Sequence, residues 1–261
     1  MKIKKYPIRL LVIILPMLLF IACQNKKEAP KVVAPTAQEI VDRAITTMGG
    51  SILENAQIKF KFRDYYYTAQ RTNNTRILDR CTDAACVTQL DRIELNGDFI
   101  RFRESVRVPV PDSMKTKFIS AINSVHYFSV LPFGLNDGAV TKTVLDEHTV
   151  KGKPYYRVKV TFSEDGGGED YQDQYLYWIH KEEFTVDYLA YNYQVDGGGT
   201  RFREAYNKRT INGVTFADYR NYKAATKFPP LTTLDTLFEA GSLKLLSTIA
   251  LEEITVNPII N

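Results

Sequence analysis

Three histidines, three cysteines and a scatter of paired acids are the residues of this 261-residue chain best equipped for chemistry. His126, His148 and His180 form neither an HExxH pattern nor a close pair. His148 follows Asp146-Glu147, a potential ligand cluster, but Lys151-Gly152-Lys153 just beyond marks a solvated hairpin end. His180 stands where a strand ends. His126 follows a helical stretch and precedes aromatic residues, so it either lines a site as a buried polar group or serves the last carbonyls of the helix, the commoner use. No GxSxG elbow occurs. Gly166–Gly168 and Gly197–Gly199 lack the Lys-Ser/Thr that a phosphate loop needs. Glu169-Asp170 and Glu182-Glu183 could bind calcium or form a catalytic dyad, but solvated turn acids are the usual case. No catalytic residue, metal site or cofactor is assigned. A hydrolase using His126 or His148 is the enzyme alternative.

Cys81 and Cys86, with four residues between them, can close a small loop as a disulfide in an oxidising compartment. Half of a metal site and a pair of reduced thiols are the alternatives, although no histidine lies nearby and no second cysteine pair exists. Cys23 has a different setting. Met1 to Arg9 is basic, and Leu10 to Ala22 is an apolar run of 13 residues, short of the roughly 20 that span a bilayer. The run ends Phe20-Ile21-Ala22-Cys23, which resembles the lipobox of bacterial lipoproteins, with Phe20 where leucine is commonest. That resemblance implies a signal peptide over 1–22, a diacylglycerol-modified Cys23 as membrane anchor, and a flexible tether over 23–35 carrying Pro30 and Pro35. By analogy with lipoprotein sorting, Gln24 rather than aspartate after the cysteine points to the outer membrane.

Charge narrows the partners. Lys2, Lys4, Lys5 and Arg9 lie in the leader, and removing them from the 34 basic residues leaves 30 against 30 acids. A neutral chain with an envelope address argues against nucleic acid, despite Arg101-Phe102-Arg103 and Phe202-Arg203. A protein partner is not specified.

These groups are positioned by one domain over 36–261. Thr36-Ala37-Gln38-Glu39 is a capping box opening a helix with Ile40, Val41, Ala44, Ile45 and Met48 on one face, stopped by Gly49-Gly50. Ile58, Phe60 and Phe62 alternate with charges in a strand that continues through Tyr65-Tyr66-Tyr67. Asn96-Gly97 marks a hairpin turn. Pro111 to Val125 forms a second helix with Met114, Phe118, Ala121, Ile122 and Val125 on one face, followed by an apolar loop. After Gly138 strand signals dominate, with Asn212-Gly213 as another tight turn. Leu231 to Ala240 makes a short helix, and Ser242 to Val256 a terminal strand. Tyrosines crowd the second half; Leu189, Tyr191, Tyr193 and Val195 share one strand face, opposite Tyr188, Ala190, Asn192 and Gln194. Cross-strand pairing and a cavity wall both fit that supply.

Tyr127-Phe128-Ser129-Val130-Leu131-Pro132-Phe133, Asp187 to Tyr193 and Arg201-Phe202-Arg203 resemble stretches of Gram-negative envelope lipoproteins of the LolA/LolB-like lipoprotein-carrier superfamily. The similarity is one of element pattern over about 36–256. It implies an α+β fold: a long curved antiparallel sheet, an incomplete β-barrel, with two or three helices packed on its concave face. It also implies an outer-membrane-anchored protein that holds a lipid, acyl chain or other amphiphile between sheet and helices. Ile40, Ile45, Met48, Phe118 and Ile122 are the candidate lid residues, and Tyr191 and Tyr193 candidate wall residues. A structural or protein-interaction lipoprotein is the alternative.

Overall fold

The capping box forms as spelled: Thr36 Oγ1 accepts the Glu39 N–H at 3.2 Å, and the Glu39 carboxylate takes the Thr36 N–H at 2.8 Å. It opens α1 (Ala37–Thr47), whose Ile40, Val41 and Ala44 are buried. The structure, a computed structural model, describes residues 1–2, 34–73, 75–166, 171–194 and 197–259. Most of the expected signal segment, Cys23 and the tether up to residue 33 lie outside the described residues. Pro35–Asn261 is one compact unit.

After α2 (Gly50–Leu53) come β1 (Ala56–Phe62), β2 (Tyr65–Thr72), β3 (Thr75–Cys81), β4 (Gln89–Ile93), β5 (Phe99–Arg103) and β6 (Val106–Val108). Next are α3 (Asp112–Ser129), a 3-10 turn (Phe133–Asn136), β7 (Val140–Val144), β8 (His148–Val150) and β9 (Lys153–Phe162). The chain finishes with β10 (Gln174–His180), β11 (Val186–Tyr193), β12 (Gly199–Ile211), β13 (Val214–Lys223), α4 (Leu234–Glu239), β14 (Lys244–Ile249) and β15 (Glu252–Pro258).

The fold is α+β and every strand pairing is antiparallel, but the strands form two open sheets. One has seven strands in the order β15-β1-β2-β3-β4-β5-β6. The other has eight, in the order β14-β13-β12-β11-β10-β9-β7, with β8 also on β9. The expected single terminal strand is two, and the corner between them joins the sheets. Leu251 sits at that corner, where neither ladder serves its backbone. Its N–H instead donates to Asp218 Oδ1 at 3.0 Å, and its carbonyl accepts Arg209 Nη2 at 2.5 Å.

Two further boundaries differ from the sequence expectation. The strand through Tyr65–Tyr67 is a hairpin: β1 and β2 pair from Ala56↔Arg71 to Phe62↔Tyr65, with Arg63 at φ 55° in the turn. No Asn-Gly or Asp-Gly announces it. The second helix also runs one turn further, to Ser129, because no glycine or proline interrupts it before Pro132.

The main core lies between the sheets, with Ile58 and Phe60 of β1, Val158 of β9, Tyr177 of β10 and Phe216 of β13 around the α1 side chains. The β12–β13 turn, Asn212 (φ 46°) and Gly213 (φ 81°), locks this arrangement. Asn212 Nδ2 donates to the Val256 carbonyl of β15 at 2.7 Å, and Thr215 N–H to the Met48 carbonyl at 3.1 Å. A Cβ on Gly49 would lie 2.4 Å from the Gly213 oxygen, so helix end and turn meet backbone to backbone.

α1 and α3 pack on the inner side, whereas α4 covers the opposite face of the eight-stranded sheet. There Leu234 and Phe238 meet Tyr188, Phe202 and Trp178.

Candidate functional site

Alternation along the eight-stranded sheet assigns its residues to two faces. Tyr175 and Tyr177 of β10, Leu189, Tyr191 and Tyr193 of β11, and Arg201 and Arg203 of β12 point inward. Together with α3, the 3-10 turn and the β2 and β3 residues Arg71, Arg76 and Leu78, they enclose a cavity of about 680 Å³. That is within the size range of ordinary ligand sites.

Aromatic rings build much of the wall. Tyr175 stacks on Tyr191 at 5.1 Å between centroids, and Phe162 meets Tyr175 edge-on at 5.7 Å. Val130, Leu131 and Phe133 add an apolar side from the segment after α3. Burial pushes the Tyr175 and Tyr177 hydroxyls well above the ordinary tyrosine range and Tyr127 up to about 12. The Tyr127 and Tyr177 hydroxyls lie beside one another without a hydrogen bond of good geometry.

Four arginines, Arg71, Arg76, Arg201 and Arg203, put cationic groups on the wall beside the neutral Thr116, Ser120, Asn123 and Ser124. Arg203 Nη2 donates to Tyr191 Oη at 2.9 Å, and its guanidinium lies 5.1 Å from the Tyr191 ring and 5.2 Å from that of Phe128. Arg201 sits 4.9 Å over Tyr193. Arg76 and Asp137, both exposed, form a pair at 3.8 Å where the cavity opens. Asp173 also lines the space.

Of the residues singled out from the sequence, Tyr191 and Tyr193 line the cavity. The proposed lid does not. Ile40 and Met48 are buried in the core beside the β12–β13 turn, and Ile45 packs there against the Gly50 backbone. Ile122 is fully buried against Ala69, Leu78, Ile93 and Phe99 of the seven-stranded sheet. Phe118 stacks on Phe99 at 5.6 Å and carries the Arg101 guanidinium 4.3 Å above its ring. That arginine is held by fully buried Asp91, which accepts its Nε at 2.5 Å and its Nη2 at 2.8 Å, and Arg80 Nη2 at 2.6 Å. This network turns the apolar face of α3 onto the sheet. The neighbouring stripe, Ile119, Asn123 and Tyr127 among it, therefore meets the cavity. Met114, expected on the buried face, is exposed.

The histidines lie apart from one another, each in contacts of its own, His180 Nδ1 accepting the Glu183 N–H at 3.1 Å. His126 is buried, with Phe60 and Tyr67 edge-on at 5.8 and 5.5 Å. Its Nε2 lies 3.1 Å from the Asp79 carbonyl oxygen, and burial holds its pKa down at about 3, so Nε2–H donates from a neutral ring. His148 Nε2 is 3.6 Å from Asp235 Oδ2, on the far face. Asp235, fully buried, accepts the Trp178 indole N–H at 2.9 Å and the Thr236 N–H at 2.8 Å, fixing α4 to the sheet. Cys81 and Cys86 are joined as a disulfide. Among the described residues no cluster of three or more metal-ligating side chains occurs, and no helix is long and apolar enough to cross a membrane.

The chain belongs to a family of unknown function, DUF6503, which matches over residues 42–251. No curated protein matches it. Among solved structures it is similar to a LolA superfamily protein from Nitrosomonas europaea, at 15% identity and a TM-score of 0.46, covering 87% of this chain and 96% of that one. It is also similar to a DUF1329 family protein from Desulfovibrio piger, at 10% identity and a TM-score of 0.46, covering 85% and 93%.

Proposed function

We propose that this DUF6503 member is a lipid-anchored envelope lipoprotein, held at the outer membrane through Cys23, that binds a hydrophobic or amphiphilic ligand between its sheets and α3. It is read as a binding protein and not as an enzyme, with no cofactor and no nucleic-acid partner. The observation that carries the reading is the cavity of about 680 Å³, walled largely by tyrosine rings and aliphatic side chains. An acyl chain entering it gains about 0.8 kcal/mol for each methylene removed from water, before ordering costs. The lipobox-like Phe20-Ile21-Ala22-Cys23 supports the address.

The test is native mass spectrometry of the Cys23→Ser chain, which removes the anchor's own acyl chains from the measurement, before and after solvent extraction. A stoichiometric hydrophobe that disappears in Asn123→Trp, a variant that fills the cavity from α3, is the expected result. A chain that stays bare even after incubation with envelope lipids would sink the reading.

A further inference from the structure

Arg71 is the anomaly of the cavity. On β2 the alternation puts Tyr67, Ala69 and Arg71 on the inward face, so an arginine stands where the pattern calls for an apolar residue. It is 9% exposed, yet it makes no hydrogen bond or ion pair with any described residue, and its Nε is buried without a partner. Its guanidinium lies 5.1 Å over the Phe133 ring. Asp137 attracts it from a distance, but that carboxylate already faces Arg76, whose charge opposes that of Arg71. Burial lowers its pKa to about 10, so it remains a cation at neutral pH.

Other arginines packed this deeply are paired. Arg157 has Asp146, Asp235 and the Thr232 carbonyl, while Arg80 and Arg101 share Asp91. A buried cation without a counter-ion is costly. The eight-stranded sheet adds a second such group, since Arg203 has no carboxylate within 4.0 Å among the described residues and spends one donor on Tyr191. Each sheet therefore presents a guanidinium without a close carboxylate among the described residues to one space whose remaining wall, apart from Arg76, Asp137, Asp173 and Arg201, is largely apolar.

We infer that the ligand is an anionic amphiphile whose acid group, a carboxylate or a phosphate, is held by the free N–H donors of Arg71 while its chain lies along Leu131, Phe162, Tyr175 and Leu189. Arg203 adds attraction from the opposite wall. A planar guanidinium suits either oxyanion, and charge-assisted hydrogen bonds are the stronger kind. This assignment rests on the binding reading above and names the class of ligand that reading would take.

The test is binding of hexadecanoate, hexadecyl phosphate and hexadecanol to the delipidated full chain at neutral pH. The two acids are expected to bind about tenfold or more tighter than the alcohol. Whichever acid binds tighter identifies the headgroup. Arg71→Met should bring both acids to the alcohol's level and leave the alcohol's affinity within about twofold, and Arg71→Lys should recover part of the difference. Equal binding of acids and alcohol to the unaltered chain would overturn the inference and leave the binding reading standing. So would a preference that survives Arg71→Met but not Arg203→Met, which would move the anion to the other sheet. If none of the three binds, the cavity reading falls with it.

Discussion

The two faces of the eight-stranded sheet are built from the same kinds of residue and end in opposite states. Outward, Trp178, Tyr188 and Phe202 fill the space beneath α4, with Phe202 and Phe238 centroids 5.0 Å apart. Their polar atoms are matched: the Trp178 N–H has Asp235, and the Tyr155 hydroxyl donates to Asp187 Oδ2 at 3.0 Å. Inward, Tyr175, Tyr177 and Tyr191 border open volume, and the Tyr127 and Tyr177 hydroxyls lack well-formed partners. Hydrophobicity does not separate the faces. What separates them is open volume: the outward side is filled by α4 and its neighbours, leaving the Thr200 hydroxyl as a buried polar atom without a partner, whereas the inward side keeps a cavity that the Tyr127 and Tyr177 hydroxyls and the Arg71 and Arg203 Nε atoms border unpartnered.

The sharpest way to break the comparison is to remove one ring from each face. Phe202→Ala should cost about 3–5 kcal/mol, because the surrounding rings are fixed and a cavity is left. Tyr191→Ala, beside space that already exists, should cost under about 1.5 kcal/mol and act on ligand binding. Urea midpoints measure both, and equal losses would mean the inward face is packed like the outward one.

Asp235→Ala should cost about 3 kcal/mol, since it strands the Trp178 N–H and takes from buried Arg157, 3.6 Å away, one of its two carboxylate partners. A melting curve indistinguishable from the parent's would remove Asp235 from the clasp on α4.

The unfolded chain protonates His126 below about pH 6.5 and the folded chain only near pH 3, so stability should fall as pH drops through that window. The slope is roughly 1.4 kcal/mol per pH unit. His126→Gln, which keeps an N–H for the Asp79 carbonyl, should flatten this part of the profile. An unchanged profile would mean that solvent reaches the ring and restores an ordinary imidazole pKa.

The smallest effect is the most telling. Arg71→Met should change the stability of the empty chain by about 1 kcal/mol or less, or raise it, because an unmatched buried charge gives way to an apolar side chain of similar length. A large loss would show that Arg71 holds the fold together.

How much of this was legible depended on what each residue faces. The two faces of β11 follow from the alternation of Tyr188 to Tyr193, because period-2 patterning is local. Which face closes over does not follow, since tyrosine serves a packed interior and a cavity wall equally well. Asn212-Gly213 announced its turn, whereas Arg63-Asp64 did not, and β1 and β2 read as one strand. Of the expected α3 stripe, Phe118, Ile122 and Val125 turn inward, whereas Met114 and Ala121 at its margins are exposed. The stripe's direction was set by Asp91, Arg80 and Arg101, which lie on other elements and carry no mark in the helix itself. Arg71 passed unnoticed because a charge in an alternating strand ordinarily points to water, and only the second sheet and the Phe133 turn make its position a buried one.

The pairing of Ala56 with Pro258 has its own consequence. Hairpins such as β1–β2 and β12–β13 close across short turns, but β1 cannot acquire its other neighbour until the last strand exists. A nascent chain therefore carries β1 as an open edge, backed by Ile58, Phe60 and Phe62, through the synthesis of almost the whole domain. β15 is the latch that ends this exposure. Deleting it would cost more than its own contacts, because it would return to solvent a strand ready to recruit another chain's edge.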